Sequence, residues 1–404
     1  MDPVYLDNNA TTRVDPRVLE TMLPFFTEQY GNPSSMHAFG DRVGHALERA
    51  REQVAALVGA AHASEIVFTS GGTEADSTAL WSALRAQPDR REIITTAVEH
   101  PAVLNVCEQL EKEGYRIHRL GVDGRGRLDT RAYEDLLSER AGQVALVSVM
   151  WANNEAGTLF PVETMAEQAR AAGVMFHTDA VQAVGKCPVD LKATAIDLLS
   201  LSGHKLHAPK GVGALYVRRG LRFRPLLRGG HQERGRRAGT ENVPGIVGLG
   251  RAAELAQTHR SGEQGRVRAL RDRLEQGLLA QIPHAFPTGD PENRLPNTLN
   301  MAFEYIEGES ILLMLNREGI AASSGSACTS GSLEPSHVLR AMDIPYTAAH
   351  GAVRFSLSRF TTEAEIDRVI AVLPGIVERL RQLSPYWGET GPVTEPERAF
   401  APAF

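Results

Sequence analysis

The chain has 404 residues, 42% hydrophobic and 23% charged, with a formal net charge of −6. That length exceeds what a single core usually holds, so a large domain with a smaller companion is expected. The acidic balance argues against nucleic acid as a partner, and no apolar run approaches the roughly 20 residues that span a bilayer; no membrane partner is expected. The opening MDPVYLDNNATT carries no basic stretch followed by an apolar one, so no signal peptide is expected. Cys107, Cys187 and Cys328 lack metal-ligand spacing, which fits a reducing cytoplasm and no resident metal.

From about residue 65, short β-branched runs alternate with helical patterns. EIVFTS (65–70) precedes a helix opening at Thr73, and EIITTAVEH (92–100) precedes one opening at Pro101, a favourable first-turn residue. QVALVSVMW (143–151) leads to the helical PVETMAEQARAAG (161–173), then to VMFHTD (174–179) and DLLSLSG (197–203). Continuous apolar strands separated by helices predict an α/β fold with a mainly parallel sheet covered on both faces. A long helical region follows over about 245–282. A second α/β unit comes next, with NTLNMAF (297–303), a helix around 308–319, AVRFSL (352–357) and a helix from Thr362. Beyond Pro385 the prolines and weak periodicity predict an extended tail.

Ligands in such sheets bind at the carboxyl ends of strands, and several polar clusters sit there. Lys205, in SGHKLHAPKG (202–211), follows an apolar strand; a surface lysine is the ordinary reading of such a residue. Asp179, at the end of an earlier strand, changes the odds, because pyridoxal phosphate needs a lysine for its Schiff base and an acid for its ring nitrogen. SGGTEAD (70–76) enters a helix and could cradle a phosphate through its N–H groups and the Thr73 hydroxyl. A weak capping box from Thr73 to Asp76 explains the same residues equally well. Ser202 and His204 are further phosphate candidates. His100 could stack on a flat ring and move protons, or be a structural histidine. Arg354, alone in an apolar strand, wants a bidentate anion such as a substrate carboxylate, or an internal ion pair. Cys328 lies in SSGSACTSGS (323–332), where nothing large packs beside it; it reads as a mobile nucleophile or an inert loop thiol. Cys107 reads as a small core residue.

These residues in this order resemble the class V aminotransferase family of pyridoxal phosphate enzymes, and within it the cysteine desulfurases. The similarity runs through YLDNNATT (5–12), GNPSSMH (31–37), TSGGTEAD (69–76), TAVEHPAV (96–103), WANNEAGT (151–158), HTDAVQAVGK (177–186), LSGHKLHAPKGVG (201–213), RRAGTEN (236–242) and SSGSACTSGSLEPSHVLRAMD (323–343). The long cysteine loop, GGHQERGRRAGTEN (229–242) and the AFAPAF ending are similar to the nitrogen-fixation (NifS) branch. The resemblance implies the aspartate-aminotransferase-like fold (fold type I of pyridoxal phosphate enzymes). A large domain would span 14–260, and a small domain would combine 1–13 with 261–404.

The resemblance also implies roles. Lys205 would carry the cofactor and Asp179 would pair with its ring nitrogen. Gln182 would bond the ring hydroxyl, His100 would stack on the ring, and Asn154 would contact ring or substrate. Gly72, Thr73, Ser202 and His204 would bind the phosphate, joined by Thr240 from the partner subunit of a homodimer. Arg354, assisted by Asn32, would hold the carboxylate of L-cysteine. Cys328 would take the sulfur as a persulfide, with His100 carrying protons, and could serve as a transient iron–sulfur ligand. The product would be L-alanine, and an iron–sulfur scaffold protein of nitrogenase assembly would accept the sulfur in the cytoplasm. Another member of the family, such as an aminotransferase or selenocysteine lyase, a cofactor-free thiol hydrolase and a non-catalytic sulfur relay are the competing readings. For the tail, docking to a scaffold protein competes with packing on its own domain.

Overall fold

The computed structural model describes residues 2–324 and 335–395. Cys328 and the last nine residues, 396–404, lie outside the described residues. In chain order the first elements are β1 (Val4–Tyr5), α1 (Pro16–Met22), α2 (Pro24–Thr27), α3 (Ala38–Leu57), β2 (Ile66–Thr69), α4 (Gly72–Ala86), β3 (Glu92–Thr96) and α5 (Pro101–Lys112). There follow β4 (Arg116–Leu120), α6 (Thr130–Arg140), β5 (Val144–Ser148), α7 (Val162–Ala171), β6 (Met175–Asp179), β7 (Leu198–Ser202) and β8 (Gly213–Val217).

The sheet they form has seven strands in the order β2-β8-β7-β6-β5-β3-β4. The pairings among β3 to β7 are parallel, while β8 runs antiparallel to both β2 and β7. Alternate residues along one strand feed different cores, as a strand's period of two requires. Val67, Ile93, Leu146, Leu198 and Leu215 pack with α4 and α5. Their neighbours Phe68, Ile94, Val147, Leu199 and Tyr216 pack on the opposite face with α3, α6 and α7. Both faces are therefore covered, and every residue of the strands β2, β3, β5, β7 and β8 is buried.

The second unit begins on α8 (Val243–Leu279), a single helix of 37 residues and so about 55 Å long. Its first half, through Ala256, belongs to the large core. Its second half, Val267 to Leu278, packs in a separate core with β1 and the later elements. The elements after it are β9 (Ala285–Thr288), β10 (Thr298–Phe303), α9 (Gly308–Arg317), β11 (Ile320–Ala321), α10 (His337–Ala341), α11 (Tyr346–His350), β12 (Ala352–Ser356) and α12 (Glu363–Leu383); of these, α10 and α11 pack in the large core instead, through Val338, Leu339 and Ala349. β10 is flanked antiparallel by β9 and β12. The chain's start joins this end, since β1 pairs parallel with β11.

The described part of the tail departs from the extended form expected of it. Residues 387–392 fold back as a hairpin of β13 (Trp387–Gly388) and β14 (Gly391–Pro392). The Trp387 ring stacks under the Arg381 guanidinium at 4.4 Å and lies 5.7 Å from Tyr305. A large aromatic surface beside an arginine finds more area on its own domain than in water, and this outweighs weak local propensity. Among the described residues no helix is long and apolar enough to cross a membrane.

Candidate active site

One cleft of about 290 Å³ opens at the carboxyl ends of the parallel strands. Gly72, Thr73, His100, Asn154, Asp179, Gln182, Ser202, His204, Lys205 and Arg354 all line it. Residues more than 280 positions apart in the sequence thus meet, because strand ends converge there and β12 of the second unit closes the side. Asn32 and Thr240 are not brought there by the chain's own fold: both are exposed, and Asn32 Oδ1 is occupied by the Ser34 N–H at 2.9 Å.

Asp179 ends β6 and is 6% exposed, with Oδ1 accepting the Val181 N–H at 2.9 Å. Burial pushes its carboxyl up, opposed by His100, the Val181 N–H and Lys205. Asp76, fully buried on α4, has its carboxyl pushed well above the usual carboxylate range by burial and then by the Asp179 charge. Two carboxylates that repel one another do not both ionise readily, and it is Asp179, beside His100 and Lys205, that has cationic partners while Asp76 has none. Glu99 is a third buried acid; burial raises it to about 8 despite hydrogen bonds from Met150 N–H and Thr96 Oγ1.

His100 caps α5, its Nδ1 accepting the Ala102 N–H at 3.1 Å. That bond assigns the proton of the neutral ring to Nε2. Burial lowers its affinity for a second proton, Asp179 opposing and Lys205 and His337 adding to the effect. His204 is lowered to about 4, by burial first and then by Lys205. Both rings are therefore neutral at physiological pH.

Lys205 follows β7 and donates from Nζ to the Ala10 carbonyl at 2.8 Å and to the Asn9 carbonyl. Arg354 is 2% exposed. It donates from Nη1 to the Asn154 carbonyl at 2.9 Å and from Nη2 to Asp7 Oδ1 at 2.8 Å. Its Nε is buried with no hydrogen-bond partner. Both readings of this arginine are thus compatible with one geometry, an ion pair that leaves donors over.

Asn9 was quoted only as part of a motif, yet it joins the groups around the cleft. Its carbonyl accepts Gln182 Nε2 at 2.9 Å as well as Lys205. Its side chain donates to Thr298 Oγ1 at 2.9 Å and to the Asn154 carbonyl at 3.1 Å, and accepts from Asn297 at 3.0 Å. The signal was present in DNNATT: consecutive amides directly after a strand have few reasons to be buried except as a network. Asn9 is 1% exposed.

The capping box from Thr73 to Asp76 does not form. Gly71 stands at the cap of α4 with no side-chain hydrogen bond, and Glu74 instead accepts the Ser70 N–H at 2.8 Å. The first-turn N–H groups are left for an anion. A Cβ on Gly72 would come within 2.8 Å of the Val181 side chain and 3.6 Å of Ser202 Cβ, so glycine keeps that cradle open.

A mostly parallel sheet with an amine, a buried carboxylate and an anion cradle at its strand ends defines a fold-type-I site for pyridoxal phosphate. The model of the family described as aminotransferase class-V matches residues 4–369, and the chain belongs to that family. It is 69% identical over 404 residues to cysteine desulfurase NifS of Azotobacter vinelandii, covering all of both chains. A solved structure described as a NifS-like protein superposes with a TM-score of 0.86 at 40% identity, covering 94% of this chain and 100% of the other. Another, SspA in complex with cysteine, gives 0.77 at 33% identity over 89% of this chain and 100% of that one.

Pyridoxal phosphate is the cofactor of this family, and the residues present fit it. The uncapped first turn of α4 with Thr73, Ser202 and His204 offers N–H and O–H donors for a phosphate. Asp179 offers a buried carboxylate and Lys205 an amine on the same cleft.

Proposed function

We propose that the protein is a cysteine desulfurase that takes sulfur from L-cysteine, releases L-alanine and carries the sulfur on Cys328 as a persulfide. The observation that carries this reading is the meeting of Lys205, Asp179, His100 and Arg354 in one cleft, in a chain so similar over its full length to a cysteine desulfurase. When bound through an amine, pyridoxal phosphate acts as an electron sink for negative charge on the substrate carbons.

The chain's own groups supply the rest. Arg354, held by Asp7 and the Asn154 carbonyl, keeps donors for the substrate carboxylate. Lys205 is the base next to the substrate Cα, and Asp179 sets a negative charge opposite the cofactor's ring nitrogen. His100, neutral with its proton on Nε2, passes protons between thiols. The Cys328 thiolate attacks the substrate sulfur, a sulfur–sulfur bond forms and the carbon–sulfur bond breaks. The electron pair stays with the substrate carbon, which takes a proton on the way to alanine, so no outside oxidant or reductant enters.

The same reading places residues 14–260 in a large domain and 1–13 with 261–404 in a small one, in keeping with the two cores that meet along α8. A homodimer is supported by Leu23, Phe26, Tyr30, Met36 and Phe39, all exposed on one short segment, since contiguous apolar surface of this kind marks an interface. Asn32 lies in that segment, and in the dimer Thr240 reaches the partner's phosphate cradle. The basic stretch 231–237 is paired locally, with Arg237 on Glu74 at 2.8 Å and Arg234 on Glu48 at 3.3 Å, which favours an interface loop over a nucleic-acid surface. The sulfur acceptor is an iron–sulfur scaffold protein serving nitrogenase in the cytoplasm, a reading that rests on likeness to NifS.

The deciding experiment incubates the protein with L-cysteine and pyridoxal phosphate, and measures alanine release and a sulfur-mass adduct on Cys328. Both should appear, and both should vanish in Lys205→Ala. Desulfuration at the wild-type rate in Cys328→Ala would remove the persulfide role, and an active but colourless protein would remove the cofactor.

A further inference from the structure

Lys186 ends the HTDAVQAVGK segment and belongs to none of the roles above. Its amine lies 2.6 Å from Gln182 Oε1, four residues back, and 3.4 Å from Asn9 Oδ1. It lines a second cavity together with Gly185, Gln264 and Asn297. Lys205 lines both spaces.

Gln182 thereby sits between partners that each tolerate only one end of its amide. An amine cation has hydrogens to give and no lone pair, so the atom facing Lys186 must be the oxygen. The Asn9 carbonyl has lone pairs and no hydrogen, so the atom facing it, at 2.9 Å, must be the nitrogen. Turning the amide over would set an NH2 against the ammonium and an oxygen against a carbonyl, breaking both bonds in a buried place. Gln182 is 5% exposed and lines the cleft. Asn9 uses one of the two N–H groups on Nε2, which leaves one for the cleft.

We propose that Lys186 is a positioning residue that locks the Gln182 amide so that it offers a hydrogen-bond donor, and never an acceptor, to the ring oxygen of pyridoxal phosphate. This rests on the reading that the cleft binds that cofactor. A donor at the ring oxygen, backed by a cation, favours that oxygen without its proton. Lys186 therefore acts on the electronic state of the cofactor without touching it. Burial and then the neighbouring Lys205 lower the Lys186 amine to about 7; the Asn9 carbonyl holds the Gln182 amide in the same sense whether or not that amine carries its charge.

The test is the visible absorbance of the bound cofactor at fixed pH, read with its dissociation constant in the purified full chain. Lys186→Met should move absorbance from the long-wavelength form, with the ring oxygen deprotonated, to the short-wavelength form by about threefold to tenfold in their ratio, the worth of one hydrogen bond. Gln182→Leu should shift it similarly, and the double variant should go no further than Gln182→Leu alone. Gln182→Glu, which keeps a partner for Lys186 but removes the N–H, should shift it as well, and decides the matter if Lys186→Met does not fold. A folded Lys186→Met with the wild-type band ratio, an additive double variant, or an unshifted Gln182→Glu overturns the inference alone. A wild-type protein with no visible band overturns the proposed function and this inference with it.

Discussion

Arg354 and Asp7 form an ion pair at 2.8 Å, with the arginine side chain 3% exposed and the aspartate 20%. The pair ties β12 to the chain's first turn and fixes the guanidinium at the wall of the cleft. Removing one partner of such a pair leaves the other charge buried and unmatched. Asp7→Ala is expected to lower stability by about 2–3 kcal/mol in urea unfolding, somewhat under the fully buried case because Asp7 retains some solvent. The same variant should raise KM for cysteine more than it lowers kcat, since the arginine remains but is no longer held. An unchanged KM in steady-state assays would sever Arg354 from the substrate carboxylate.

Glu99 should make the protein less stable as pH rises. Its carboxyl keeps its proton to about 8 in the fold, against an ordinary value of 4.5. Between those values the folded chain binds more protons than the unfolded one, so stability is full below about 4.5 and declines as pH climbs through 8. Glu99→Gln carries no such proton. Its melting temperature minus that of the wild type should grow from pH 5 to about pH 8 and level off above it, all other groups cancelling. A difference that stays flat over this range would show that Glu99 is ionised in the fold.

The hairpin around Trp387 should stabilise the smaller unit. Trp387→Ala removes the ring between Arg381 and Tyr305 and is expected to cost about 2–3 kcal/mol, less than a fully buried tryptophan because this one is partly exposed. Truncation at Pro385 should lower the melting temperature at least as much. If truncation leaves it unchanged, the hairpin is not part of the fold's core.

Much of this was legible in the sequence. Runs such as EIITT and LLSLS are apolar on both alternating faces, which only a sheet covered on both sides requires, and the strand-end clusters at His100, Asp179 and Lys205 do converge. The network centred on Asn9 was not legible, because its partners Asn154 and Thr298 stand 145 and 289 residues away and no local pattern encodes such distances. Lys186 follows a glycine in a turn, a setting in which lysine normally points to solvent. The hairpin escaped because two-residue strands have no period to detect. Asn32 and Thr240 lie exposed and off the cleft in the single chain, and no pattern in their own segments sets their distance from it.

The pairing of β1 with β11 bears on how the protein is made. Val4 and Tyr5 are made long before Ile320 and Ala321, with which they pair, and the Asn9 backbone N–H bonds to Ser356 Oγ at 2.9 Å. The large sheet holds no strand beyond β8, so during synthesis Lys205 and Asp179 stand on its strands while Arg354, on β12, is still to be made. Assembly of the cleft is thereby postponed until β12 has been made, and a half-made chain carries Lys205 without Arg354 beside it.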